Sequence, residues 1–446
     1  MATYSTSIGK NSIAGAGKTI AQNAFAFGDG AKATGSDSYA LGSGAEATGY
    51  RSFAFGSVSI DTLGNPLSTP TRASGSYATA IGMGAQASNT GAIGIGVATI
   101  AQGAYTSSFG WGATSLGNYA TALGFRAYAS GANSTAVGYY SYATASYGHA
   151  FGYRAYATGT ASLSLGFYAN ASKPYSTAMG YYAAASGDYS TAIGYQAKAT
   201  TTNAFSFGYN SEAAADNSFA IGTYGLNSDG TVNTSRPTKT TGTYSVAMGM
   251  GAQASQKGSM AFGVNTTASG VYSTAMGYGP TSSGQYSMAL GYQPVSSGNY
   301  STAIGYSATS GGPYSTAMGY AATSPASYSV AIGMGASTSD GTQMGTYATA
   351  IGYNSRAWGN KSLAIGSQYT TTILKRVCNK ITGICYWLPS SLNVYNTATG
   401  DYSIAIGNGN TASGGGMALG FNNTARSIGA VAFGHSNVAD SAYSMA

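Results

Sequence analysis

Two stretches decide the fold: Tyr189-Ser190-Thr191-Ala192-Ile193-Gly194 and Tyr300-Ser301-Thr302-Ala303-Ile304-Gly305. Each ends on a glycine preceded by a large apolar residue and, before that, a small one. Walking outward with this signature finds Gly28, Gly42 and Gly56, then every fourteenth residue from Gly82 to Gly222. It finds the same step from Gly249 to Gly333, then Gly352, Gly366, Gly407, Gly420 and Gly434, with Gly9 as an outlying first member. A fixed period kept this long is the mark of a solenoid, in which each coil buries its faces only against its neighbours.

A second glycine stands seven residues after many of these markers, as at Gly35, Gly117, Gly187 and Gly298. Two glycines half a period apart imply two turns, and hence two short strands, per coil. Between them small residues alternate with larger ones, as in Ala127-Tyr128-Ala129, which is the period of a strand. A helix fails, because each interior glycine would cost it about 1 kcal/mol. The fold class is therefore all-β, a parallel β-roll or β-solenoid with 14-residue coils and hairpin insertions. The residue before the marker is Phe27, Leu41, Ile81, Leu123, Met179, Ile304 or another large apolar group, so this column is expected to be a buried packing site.

Composition agrees with a thin core repeated many times. Of 446 residues, 67 are glycine and only 7% are charged, and much of the 43% hydrophobic content is alanine. Disorder would need higher charge. A coil this narrow buries little area, which leads us to expect a marginal monomer and obligatory association. The net charge of +7 is dispersed, with Lys375, Arg376 and Lys380 the tightest basic group, so nucleic acid is not an expected partner. No segment reads as a secretory leader or an apolar membrane span, so no membrane insertion by this chain is expected.

The columns resemble the head repeat of trimeric autotransporter adhesins, the YadA-like head. Ser190-Thr191-Ala192-Ile193-Gly194, Ser245-Val246-Ala247-Met248-Gly249 and Ser301-Thr302-Ala303-Ile304-Gly305 carry the likeness. The resemblance implies a left-handed parallel roll, a homotrimer of chains side by side, and adhesion to a host-cell surface protein or glycan. It implies an extracellular or cell-surface location. With no export signal read in the sequence, a virion tail fibre is the alternative setting. The alternative function is a structural filament whose subunits polymerise end to end.

Insertions divide the chain. Residues 1–366 are roll repeats interrupted at 57–75, 223–243 and 334–346; residues 367–400 form a hairpin insertion; residues 401–446 are terminal repeats. Asp61-Thr62-Leu63-Gly64-Asn65-Pro66 and Asn227-Ser228-Asp229-Gly230 both read as turns. The largest insertion carries both cysteines, and insertions in solenoids often bind. Lys375, Arg376, Tyr386 and Trp387 are therefore the candidate ligand-binding residues, though packing on a neighbouring chain explains them equally. Cys378 and Cys385 could face each other across the turn Asn379 to Gly383 as a disulfide. With no histidine or third cysteine nearby, no metal site is expected. His149 and His435 occupy repeat positions, and the acidic residues are scattered, so neither catalytic residues nor a cofactor are expected. Tyrosines lie five residues before many markers and again just after them. On a parallel solenoid these become ladders, serving either coil-to-coil stacking or ligand contact.

Overall fold

A computed structural model describes residues 4–15, 22–58, 69–378 and 385–446, with the side chains of 369–392 outside the described set. The turn Asn379 to Gly383 and the stretch Asp61 to Pro66 lie outside the described residues. The chain divides into two compact units, Met1–Ile221 and Gly222–Ala446.

Each unit is a parallel β-solenoid. One coil of the first unit shows the construction. The long strand Thr121–Leu123 precedes the marker Gly124, and the short strand Tyr128–Ala129 follows it. On the next coil Thr135–Val137 and Tyr142–Ala143 pair with them in register, Ala122 on Ala136, Leu123 on Val137 and Tyr128 on Tyr142. Like thus stacks on like, and each sequence column becomes a row along the roll. The second unit repeats the scheme, with Thr302–Tyr306 resting on Met288–Tyr292 and on Thr316–Met318.

Two backbone corners close every coil. At one of them, five residues before the marker, the chain enters the left-handed region at Tyr119 (φ 59°), Tyr189 (φ 56°) and Tyr300 (φ 58°). The other corner lies two residues after the marker, at Arg126 (φ 51°), Tyr140 (φ 51°) and Gln196 (φ 53°). The marker glycine itself is irreplaceable for two reasons. Gly194 has φ 130°, and a Cβ there would meet the carbonyl oxygen of Gly208 at 2.3 Å. The second glycine is required by space alone, since a Cβ on Gly117 would lie 2.1 Å from the oxygen of Gly131.

The interior corrects the sequence-based expectation for the large apolar column. The buried side chains are the small ones: Ala192, Ala197 and Ala199 are 0% exposed, and Ser190 fills the fourth interior row. No residue of the column before the marker is buried; Phe27 is 52% exposed, Leu123 46% and Met276 47%. The reason is width. Two facing strands of a 14-residue coil leave room along most interior rows for methyl and hydroxymethyl groups, with the larger Pro280 and Asn410 admitted in the row three residues after the marker. The alternation that turns alanine inward turns the following Ile, Met, Phe or Leu outward. Many of the buried serines are satisfied locally: Ser190 Oγ donates to the Gly187 carbonyl at 2.6 Å. In the second unit Ser296 and Ser301 share a hydrogen bond of 2.6 Å across the interior.

Candidate functional site

The outward columns differ sharply between the two faces. The long-strand face carries the large apolar column together with a second, more varied row two residues earlier, mostly Thr, Val, Met, Phe, Leu or Ile but also Tyr39, Ser107 and His149. The short-strand face carries mostly polar groups, among them Lys32, Glu46, Arg72, Lys198, Thr267, Thr281 and Thr309. On that face Glu46 bridges two coils, 3.2 Å from Lys32 Nζ and 2.6 Å from Arg72 Nη2. Burial opposes its ionisation, but the hydrogen bonds and charges of Arg72 and Lys32 outweigh it and hold the Glu46 carboxyl below its ordinary range.

The tyrosine columns form stacked ladders. Tyr272, Tyr286, Tyr300, Tyr314, Tyr328 and Tyr347 stack with centroid spacings between 4.8 and 5.2 Å. Phe125, Tyr139, Tyr153, Phe167, Tyr181, Tyr195 and Tyr209 stack with spacings between 4.8 and 5.1 Å. A left-handed conformation costs an L-residue about 1–2 kcal/mol, and each stacked pair returns about 0.5–1.5 kcal/mol. In the first ladder, whose tyrosines hold that conformation, the rings therefore stabilise the corner that they occupy. Where glycine takes the corner instead, at Gly91 and Gly258, the ring of the next coil's Tyr105 or Tyr272 lies within 3 Å of where a Cβ would be. Ring faces are consumed by this stacking, and what the ladders offer outward is edges and hydroxyls.

The insertions obey the same geometry. Three of them leave the roll directly after the marker, beside the ladder corner, and return on a buried polar residue. Thr71 Oγ1 donates to the carbonyls of Ser57 and Gly82, and Thr238 Oγ1 to those of Thr223 and Gly249. Asn396 Nδ2 donates to those of Ile365 and Ala405. The second insertion folds back as the antiparallel pair Gly225–Leu226 and Val232–Asn233. Half-buried Arg236 pins it, with Nε donating to Gly251 O and Nη2 to Asn265 O, Thr266 O and Thr267 Oγ1. Sequence reading gave no sign of that arginine.

The large insertion is a two-stranded antiparallel ribbon, Tyr369–Cys378 against Cys385–Val394. Its register sets Arg376 opposite Trp387, Lys375 opposite Leu388, Val377 opposite Tyr386 and Cys378 opposite Cys385. The candidate residues thus share one end of one ribbon, described by backbone alone.

Among the described residues no group of three or more His, Cys, Asp or Glu side chains could hold a metal ion. No helix is long and apolar enough to cross a membrane. A slender parallel roll with one apolar face, one polar face and stacked corners defines a repetitive scaffold of the kind used by structural adhesins.

A family model described as the YadA head domain repeat (2 copies) matches residues 20–38, 33–59, 101–127, 115–141, 129–155, 157–183, 185–211, 202–224, 254–279, 282–308, 310–336, 345–368, 398–416 and 415–437. These matches cover more than half of the chain, which belongs to the YadA head family: it is an adhesin-type repetitive surface protein. No curated protein matches the chain.

Proposed function

We propose that the chain is a non-enzymatic attachment protein that works as a side-by-side homotrimer, with the long-strand faces inward and the short-strand faces and insertions outward. One observation carries this reading. A column that accepts Ile, Met, Phe, Leu or Val and no polar residue runs along the outside of each unit. Monomeric proteins rarely expose a contiguous apolar patch beyond a few hundred Å². Two further copies of the same chain are the fitting cover, because only a partner with the same coil spacing can match the row coil by coil. Parallel copies then display each outward feature three times, and simultaneous contacts multiply weak affinities. The Tyr369–Val394 ribbon, with Lys375, Arg376, Tyr386 and Trp387, is one such displayed element, and a Cys378–Cys385 disulfide would brace its end in an oxidising setting.

Beads coated with the full chain should adhere to host cells, and free chain should compete. Adhesion no greater than that of uncoated beads across a panel of cell types and matrices would overturn the attachment reading.

A further inference from the structure

One coil breaks the repeat at a place the scaffold does not need. The column six residues after the marker faces outward on the short-strand side and holds Thr48, Ser88, Thr144, Ser172, Ser269 or another residue without an aromatic ring in every regular coil but one. In that coil it holds Trp358. The smallest insertion reaches the roll beside it. Ser339 and Met344 form an antiparallel bridge. Asp340 Oδ1 accepts from Thr342 N at 2.8 Å and Gln343 N at 2.6 Å, which fixes the loop. These hydrogen bonds hold the Asp340 carboxyl below its ordinary range.

Loop and roll together enclose a groove of about 220 Å³ lined by Gln343, Met344, Trp358, Asn360, Thr399 and Asp401, with the Gly359 backbone. Its polar groups are only partly used. Asp401 Oδ1 accepts from Asn360 N at 2.8 Å, and Asn360 Oδ1 from Thr346 N at 3.1 Å. Among the described residues Asp401 Oδ2, the Thr399 hydroxyl and the Gln343 amide make no hydrogen bond to another protein group, and Asp401 and Gln343 face the solvent. The Trp358 indole N–H is shut off from water and likewise has no acceptor. A buried donor left so costs about 1–3 kcal/mol. The Arg356 guanidinium, 3.2 Å from the Tyr395 ring centroid and 5.3 Å from that of Trp358, holds the indole in place by cation–π contact.

We infer that this groove is a binding subsite for one ring of a neutral saccharide. A carboxylate, an amide and a hydroxyl around an indole supply both acceptors and donors for vicinal hydroxyls and an apolar wall for the ring's C–H face. The volume suits a single ring and falls short of the space a drug-sized ligand needs. The site deepens the attachment reading and rests on it for its biological sense.

The test uses the full chain with 15N-labelled tryptophan, titrated with a panel of neutral hexoses and their short oligomers. The Trp358 indole N–H signal should shift saturably with at least one saccharide. Measured by isothermal titration calorimetry, Trp358→Thr and Asp401→Asn should each weaken binding at least tenfold. Both variants keep the fold: threonine is common in that column, as at Thr48 and Thr144, and Asn retains the acceptor for Asn360 N. No saturable shift with any saccharide, or equal affinity in both variants, overturns the inference. If Trp358→Thr beads still adhere to cells while sugar binding is lost, attachment stands and runs through another element. If no beads adhere at all, the titration still decides the groove.

Discussion

The two faces of the roll are made by the same backbone with the same spacing, yet they are chemically unlike. The short-strand face tolerates Lys32, Glu46, Arg72, Tyr142, Asn170 and Thr309 at equivalent positions, whereas the position before the marker glycine takes large apolar residues only. Nothing inside a single chain enforces that difference, because both sets point away from the alanine-lined interior. Restriction without burial marks a surface that is covered by something else. The interior and the apolar face thus answer to separate demands, the first to the width of one coil and the second, in the proposed trimer, to association.

The comparison breaks most violently from within. Ala192→Leu should disrupt the roll around its coil, because a space for a methyl cannot take a branched side chain; overpacking costs about 1–3 kcal/mol even in wider cores. Amide hydrogen exchange should show protection lost on the coils flanking Gly194. Protection unchanged from the parent would refute a methyl-width interior.

Next in size is the outer face. Leu123→Asp combined with Met276→Asp should leave β content intact, since both side chains are nearly half exposed and a surface substitution shifts the fold by about 0.5 kcal/mol or less. The trimer should separate on size exclusion, because three carboxylates would face each other at each altered layer. Retention as a trimer would move the interface elsewhere.

The smallest effect belongs to the polar face. Glu46 has a depressed carboxyl pKa in the folded chain, so its contribution to stability is present above the ordinary Glu range and is lost as pH falls through the lowered value. Its cationic partners are about half exposed, which limits the contribution to roughly 1 kcal/mol or less. Local exchange rates of the coils around Glu46 should rise over that acid window and lose the dependence in Glu46→Gln. A pH response that survives in the variant would assign it to another group.

Much of this architecture is legible in the sequence. Gly124 and Gly117, half a period apart, reveal two strands per coil, and the tyrosines before each marker reveal ladders. The inward column is not legible from pattern alone. Ala192 and Ile193 are adjacent and equally restricted, and a large apolar residue ordinarily goes inside. Only the thickness of a two-strand coil, seen in the packing of Ala192 against Ala197 and Ala199, reverses the usual choice. The groove had a signal that period reading could have found, a lone tryptophan in a column otherwise free of aromatic rings. Arg236 had none, because its acceptors, three backbone carbonyls and the Thr267 hydroxyl, lie in two other stretches of the chain.

The account rests on the apolar column being outside the roll and covered by copies of the same chain. Native mass spectrometry of the unaltered protein measures this most directly. The account predicts a single species at three times 44.5 kDa that persists on dilution. A folded, stable species at the mass of one chain would contradict it.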